Sequence, residues 1–136
     1  MTRIRNLLQF NGNCREAMTF YFRCFGGSLL FQTMEDSPLA EKMPERMKQT
    51  ILQATLINGP FILIGSDLVG DAPLHRGNAI AMMIDCSTLT EAKRIYRLLS
   101  DKGIASGPLI KNHFGGHTGS ITDKYGNPWI IHYSKK

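Results

Sequence analysis

Four histidines, three cysteines and a few side-chain amides are the groups in this chain whose types and spacing could do chemistry. His113 and His117 stand four apart, but the two glycines between them oppose a helix, so they are not the helical His pair of a zinc hydrolase. In an extended segment the even spacing puts both on one face. Ile130 and His132 share a face in the same way. A hairpin across Tyr125 to Asn127 would bring His132 near Gly119 and diagonally near His117. His117 and His132 are therefore the candidate catalytic pair, for acid–base work or for holding an anion. Against this stands the plainer reading of His132 and His75 as strand-end or surface residues with one structural hydrogen bond. Cys14 falls in the first turn of a helix, where the dipole could activate a thiol, although a structural contact is the preferred reading. The cysteines are odd in number and form no CxxC, which argues against a disulfide framework or a structural zinc site and for a reducing compartment.

These residues must be positioned by a repeated unit. Asn13 with Glu16 three residues on resembles a capping box, Ala17, Phe20, Tyr21 and Cys24 follow at helical spacing, and Gly26-Gly27 ends the helix. A second helix starts at Thr88 with Glu91 and ends before Gly103. Glu16-Ala17 and Tyr21 correspond to Glu91-Ala92 and Tyr96, a constant offset of 91 − 16 = 75 residues. Each helix is preceded by an apolar strand (4–10 and 78–84) and followed by another (28–32 and 107–111). Each half closes with a hairpin, 49–57 with 61–64 across Asn58-Gly59-Pro60, and 117–123 with 129–133 across Tyr125 to Pro128. Residues 34–47 supply the extra length of the first half as a short helix or loop.

The pattern predicts an α+β fold of two βαβββ modules, about 1–64 and 78–136, joined by a linker at 65–77 within one domain. One helix can cover only one face of each sheet. The modules are expected to form a curved eight-stranded mixed sheet with helices outside and a concave cleft for a small molecule. A ferredoxin-like arrangement is the alternative. Gln53 and Thr55 alternate onto one face of the first hairpin and Gln9 onto one face of the first strand. With His117, Ile130 and His132 they are the predicted ligand-lining residues.

Composition narrows the classes further. A chain of 136 residues with 43% hydrophobic and 20% charged residues is an ordinary globular domain. No segment approaches the roughly 20 apolar residues of a membrane span, and the residues after Met1 are too briefly apolar for an export signal, so a cytoplasmic protein without a membrane partner is expected. The formal net charge of +5 comes from scattered residues. Lys93-Arg94 with Arg97, and Lys135-Lys136, do not interleave with aromatics as a base-stacking surface would, so nucleic acid is not an expected partner.

Phe10-Asn-Gly-Asn-Cys-Arg-Glu-Ala17 leading to Phe20-Tyr21, then Gly26-Gly27, and later Thr122-Asp-Lys-Tyr-Gly-Asn-Pro-Trp129 resemble the glyoxalase, bleomycin-resistance and extradiol-dioxygenase (vicinal oxygen chelate) superfamily. More closely they resemble its phosphonate-operon-associated branch, termed demethylubiquinone methyltransferase-like. The likeness spans nearly the whole chain, the segments 33–47 and 69–75 excepted. It implies a divalent metal held by His and Glu from strands of both modules, and a homodimer. The chain departs from that ligand pattern: the last ligand position holds Ile130, the first hairpin strand offers Gln53-Ala54, and Leu7, Gln9 and Asn11 include no charged donor. Amides are weak ligands for a transition metal, so neither metal nor cofactor is expected. The predicted function is binding of a small polar or anionic metabolite, its reaction open. The alternatives are a metal-dependent lyase, isomerase or dioxygenase with ligands among His113, His117, His132 and Asp85, and a drug-sequestering protein, which the basic balance disfavours. Methyl transfer is disfavoured because no Gly-rich strand-to-helix turn followed by an acidic residue is found.

Overall fold

The computed structural model describes residues 1–68 and 72–135. The central part of the expected linker, 69–71, and the last lysine, 136, lie outside the described residues. The chain divides into two compact units, Met1–Leu74 and His75–Lys136.

The first unit holds β1 (Asn6–Gln9), α1 (Cys14–Phe25), β2 (Ser28–Thr33), two 3-10 turns, a one-turn helix α2 (Glu45–Lys48), β3 (Ile51–Asn58) and β4 (Phe61–Ser66). Its sheet runs β1-β4-β3-β2, with β1 parallel to β4 and the other pairs antiparallel. The second unit repeats this with β5 (Met82–Cys86), α3 (Leu89–Ser100), β6 (Ile104–Lys111), β7 (Gly116–Thr122) and β8 (Pro128–Ser134), in the order β5-β8-β7-β6. Two βαβββ modules are present, as the repeat predicts. Their eight strands make two hydrogen-bonded sheets of four, because each module completes its pairing with its own strands. The strand that opens the second module begins at Met82, four residues later than expected, and Ile80 before it is 82% exposed.

Each helix buries one stripe against one sheet face. In α1 the stripe is Cys14, Ala17, Met18, Tyr21, Cys24 and Phe25, at the i, i+3, i+4, i+7 spacing of an amphipathic helix. It meets Ala54, Leu56 and Leu63, all fully buried, and Gly65, where a Cβ would come within 3.0 Å of both Met18 and the Cys14 sulfur. Glycine at 65 is what lets helix and strand approach. In the second unit Ala92, Ile95 and Leu99 of α3 lie over Ile121, Trp129 and Ile131. Burying each such large side chain contributes about 1.5–3 kcal/mol.

The two helices start by different means. Thr88 Oγ1 accepts from the Glu91 N–H and Glu91 Oε1 accepts from the Ser87 N–H, both at 3.0 Å, a local cap as the sequence predicts. Asn13 makes no side-chain cap bond. The carboxylate of Asp67, beyond β4, instead accepts from the N–H groups of Gly12 (2.9 Å) and Cys14 (3.0 Å), and from Ile51 (3.3 Å). An acidic side chain at a helix N-terminus also complements the dipole. At the other end of α1, Asn58 Nδ2 donates to the Phe25 carbonyl at 2.8 Å.

Candidate functional site

With a helix on one face of each sheet, the opposite face is free of helix, and strand register decides which residues it shows. In the first unit Gly65 lies under α1, so its partner Ala54 does too, and Thr55 with Ile64 turns to the helix-free face. Gln53 shares that face and donates from Nε2 to Thr55 Oγ1 at 3.2 Å. Gln9, paired with Ser66 in β4, also lies there and is exposed. Ser66 Oγ donates to the Leu52 carbonyl at 2.8 Å and accepts from the Leu68 N–H at 3.0 Å.

In the second unit Gly119 faces α3, since a Cβ there would sit 2.8 Å from Tyr96. Its partner Ile131 lies on the same side, and so do the Ile121–Trp129 and His117–Tyr133 pairs. Ile130 and His132 turn to the helix-free face, opposite Ser120 and Thr118, and beside Met83 and Asp85 of β5. His132 Nδ1 lies 2.9 Å from Asp85 Oδ1, with the imidazole 30% and the carboxylate 77% exposed. A carboxylate offers only acceptors, so Nδ1 is the donor of this bond, and Nε2 makes no hydrogen bond among the described residues. Gly116 adjoins that nitrogen, and even a Cβ there would remain 3.5 Å from it.

Gln9, Gln53 and Thr55 thus share one helix-free face and Ile130 and His132 another. The expected His117–His132 pair is not formed. His132 sits opposite Thr118, one residue from the predicted register, so His117 turns to the helix-covered side, its ring centroid 6.3 Å from that of Tyr133. Its Nδ1 is buried without a hydrogen-bond partner among the described residues. The physical reason is the turn. Buried Asp123 accepts through Oδ1 from the N–H groups of Tyr125 (2.8 Å) and Asn127 (3.1 Å), and through Oδ2 from Trp129 Nε1 (2.7 Å). That carboxylate organises a five-residue turn whose flanking pair is Thr122–Pro128. The partner sequence reasoning did not assign to His132 is Asp85, named there only as an alternative metal ligand. The expected strand 78–84 stops one residue short of Asp85, whereas the strand runs to Cys86 and pairs Asp85 with His132. His113 and His75 are exposed.

The Cys14 and Cys86 thiols are not activated. Desolvation by burial, with a smaller push from Asp67, raises Cys14 to about 12, and desolvation with Glu91 and Asp85 raises Cys86 to about 11. Desolvation overrides the dipole effect at Cys14 because the thiol is fully buried and the helix N-terminus already holds a carboxylate.

The divalent metal that the resemblance implies does not fit these residues. Gln9 and Gln53 are amides and Ile130 offers no donor. Asp85 and His132 bond one another, and no group of three or more His, Cys, Asp or Glu that could hold a metal ion occurs among the described residues.

The chain is similar over its full length to known proteins. It is 26% identical over 141 residues to protein YjdN of Escherichia coli (strain K12), covering 95% of this chain and 93% of that one. Among solved structures it is similar to protein PA1353 of Pseudomonas aeruginosa, with 30% identity, a TM-score of 0.84 and complete coverage of both chains. It is similar also to a putative 3-demethylubiquinone-9 3-methyltransferase, PhnB protein, from Bacillus cereus, with 23% identity, a TM-score of 0.71 and coverage of 98% and 100%. At 8% identity, a glyoxalase/bleomycin resistance protein from Albidiferax ferrireducens T118 shares the fold, with a TM-score of 0.66 and coverage of 96% and 97%. The family model described as 3-demethylubiquinone-9 3-methyltransferase matches residues 2–132, and the chain belongs to that family, on a glyoxalase/bleomycin resistance fold.

Proposed function

We propose that this protein binds a small polar or anionic metabolite on a helix-free sheet face, without a metal; the candidate groups are Gln9, Gln53 and Thr55 on the face of the first unit and Ile130 and His132 on that of the second. The observation that carries this reading is the Asp85–His132 pair, an oriented imidazole on a face that also shows the Thr118 and Ser120 hydroxyls. Amides, hydroxyls and an imidazole are hydrogen-bonding groups suited to oxygen-rich ligands. Methyl transfer, which the family's description names, receives no support from the strand-to-helix turns. The amides of the first, Gly12 and Cys14, are taken by Asp67, and Glu91 fills the second.

The protein acts as a homodimer in the cytoplasm, and nucleic acid is not a partner. Edge strands β2 and β6 show Leu30 (67% exposed), Ile104 (65%) and Ile110 (60%), which a second copy would cover. The three cysteines are free and buried, in keeping with a reducing compartment. No helix among the described residues is long and apolar enough to cross a membrane.

Thermal unfolding with inorganic phosphate, acetate and lactate as probes tests the reading. Saturable stabilisation, roughly 2.7 kcal/mol at a hundredfold excess over Kd, that is lost when Gln53→Ala and His132→Ala are combined in a folded variant supports it. Stabilisation that survives the double replacement refutes the assignment of these residues.

A further inference from the structure

Where glycine follows asparagine, no Cβ keeps the glycine nitrogen from the side-chain amide before it, so the backbone can attack its own side chain. The chain has two such steps, Asn11-Gly12 and Asn58-Gly59. Both are exposed, with each glycine at positive φ (+96° and +60°) and open space where a Cβ would stand. They differ in which reacting atom is held. At Asn11-Gly12 it is the attacking nitrogen: the Gly12 N–H donates to Asp67 Oδ1 at 2.9 Å, and the Asn11 amide makes no hydrogen bond among the described residues. At Asn58-Gly59 it is the leaving amide: Asn58 Nδ2 donates to the Phe25 carbonyl at 2.8 Å, and the Gly59 N–H makes no hydrogen bond among the described residues. A hydrogen bond to a carboxylate is roughly twice as strong as one to a neutral carbonyl. The negative charge beside Gly12 also opposes the anionic nitrogen that attack requires.

We propose that Asn58 is a deamidation site of the folded protein, whereas Asp67 masks the equivalent step at Asn11. The Gly59 nitrogen bonds to Asn58 Cγ, the Cγ–Nδ2 bond breaks, and Nδ2 leaves as ammonia with the proton that Gly59 gives up. Water then opens the cyclic imide at either carbonyl, which leaves aspartate or isoaspartate at position 58. Either product lacks the donor that holds the Phe25 carbonyl. Its carboxylate also stands at the C-terminal end of α1, where the helix dipole disfavours negative charge. Deamidation thus loosens α1 from the β3–β4 hairpin as the chain ages.

Incubation of the full chain in mildly alkaline buffer, followed by peptide mass mapping with isoaspartate labelling, reads both steps at once. In the folded protein Asn58 should convert roughly tenfold faster than Asn11, the difference between releasing a neutral and a charged hydrogen-bond partner. In the urea-unfolded chain the two should convert alike. Asp67→Ala should raise the Asn11 rate and leave that of Asn58 unchanged, whereas general unfolding would raise both. Asp67→Asn, which keeps an acceptor without the charge and disturbs the fold less, should raise the Asn11 rate by a smaller factor. Asn58→Asp, the product itself, should lower the urea midpoint of unfolding. Asn11 converting as fast as Asn58 in the folded chain overturns the proposal, and so does no conversion at Asn58 where the unfolded chain converts. Rates that rise at both sites alike, or at neither, in both Asp67 variants overturn the masking role of Asp67.

Discussion

Replacing Asp67 by Ala removes one carboxylate and strands three backbone donors, Gly12, Cys14 and Ile51, that reach it at 2.9–3.3 Å. A lost helix cap costs about 1 kcal/mol and a hydrogen bond to a charged acceptor about 1.5–3 kcal/mol. Gly12 is exposed, so water replaces part of what is lost there, whereas Cys14 and Ile51 are buried. The net cost is about 3 kcal/mol. In urea unfolding followed by circular dichroism this lowers the midpoint at unchanged slope. Asn13→Ala is the control. Its side chain makes no cap bond despite its place before the helix, so it should cost under about 0.5 kcal/mol. Equal losses from the two replacements, or a larger loss at Asn13, would refute the assignment of the cap to Asp67.

The thiols give a pH dependence with a definite sign. Burial raises Cys14 from 9.0 to about 12 and Cys86 to about 11, so the stability they contribute is complete below about pH 9 and falls as pH climbs through 9–12. At roughly 1.4 kcal/mol per pH unit, Cys14→Ala should flatten the alkaline loss of stability by up to about 4 kcal/mol, and native thiols should react with a disulfide reagent at pH 8 only as fast as the chain opens. Added Ni²⁺, Zn²⁺ or Mn²⁺ should give no saturable thermal shift, and a shift abolished by His132→Ala with His117→Ala would contradict the donor argument. Light scattering at micromolar concentration should return twice the chain mass of 15.2 kDa, and a monomer would remove the proposed dimer.

The repeat was legible because its signals are local. Thr88 with Glu91, the helical spacing of Ala92, Ile95 and Leu99, and Gly59 at φ +60° in its hairpin turn each act within a few residues. The first helix starts after Asn13 as its type and spacing suggest, but the side chain that caps it was missed, because the group that does the work stands 53 residues beyond Cys14. The site divided along the same line. The faces of Gln53, Thr55, Ile130 and His132 follow from alternation, which needs only to be right in parity. His117 needed the register of the β7–β8 hairpin to the residue, and that register is set by Asp123, whose bonds to Tyr125, Asn127 and Trp129 make a longer turn than Gly126-Asn127 alone suggests. The Asp85–His132 contact joins strands 47 residues apart that pair in parallel, a relation carried by topology and not by spacing.

Backbone amide shifts recorded during a lactate titration test the central claim most directly, because the two faces of each sheet are read in one experiment. The account predicts that the largest changes fall on Asp85, Thr118, Ile130 and His132, with Gln53 and Thr55 following. Changes centred on Ala92, Ile95, Ile121, Trp129 and Ile131, the helix-covered side, with the His132 face silent, would contradict it.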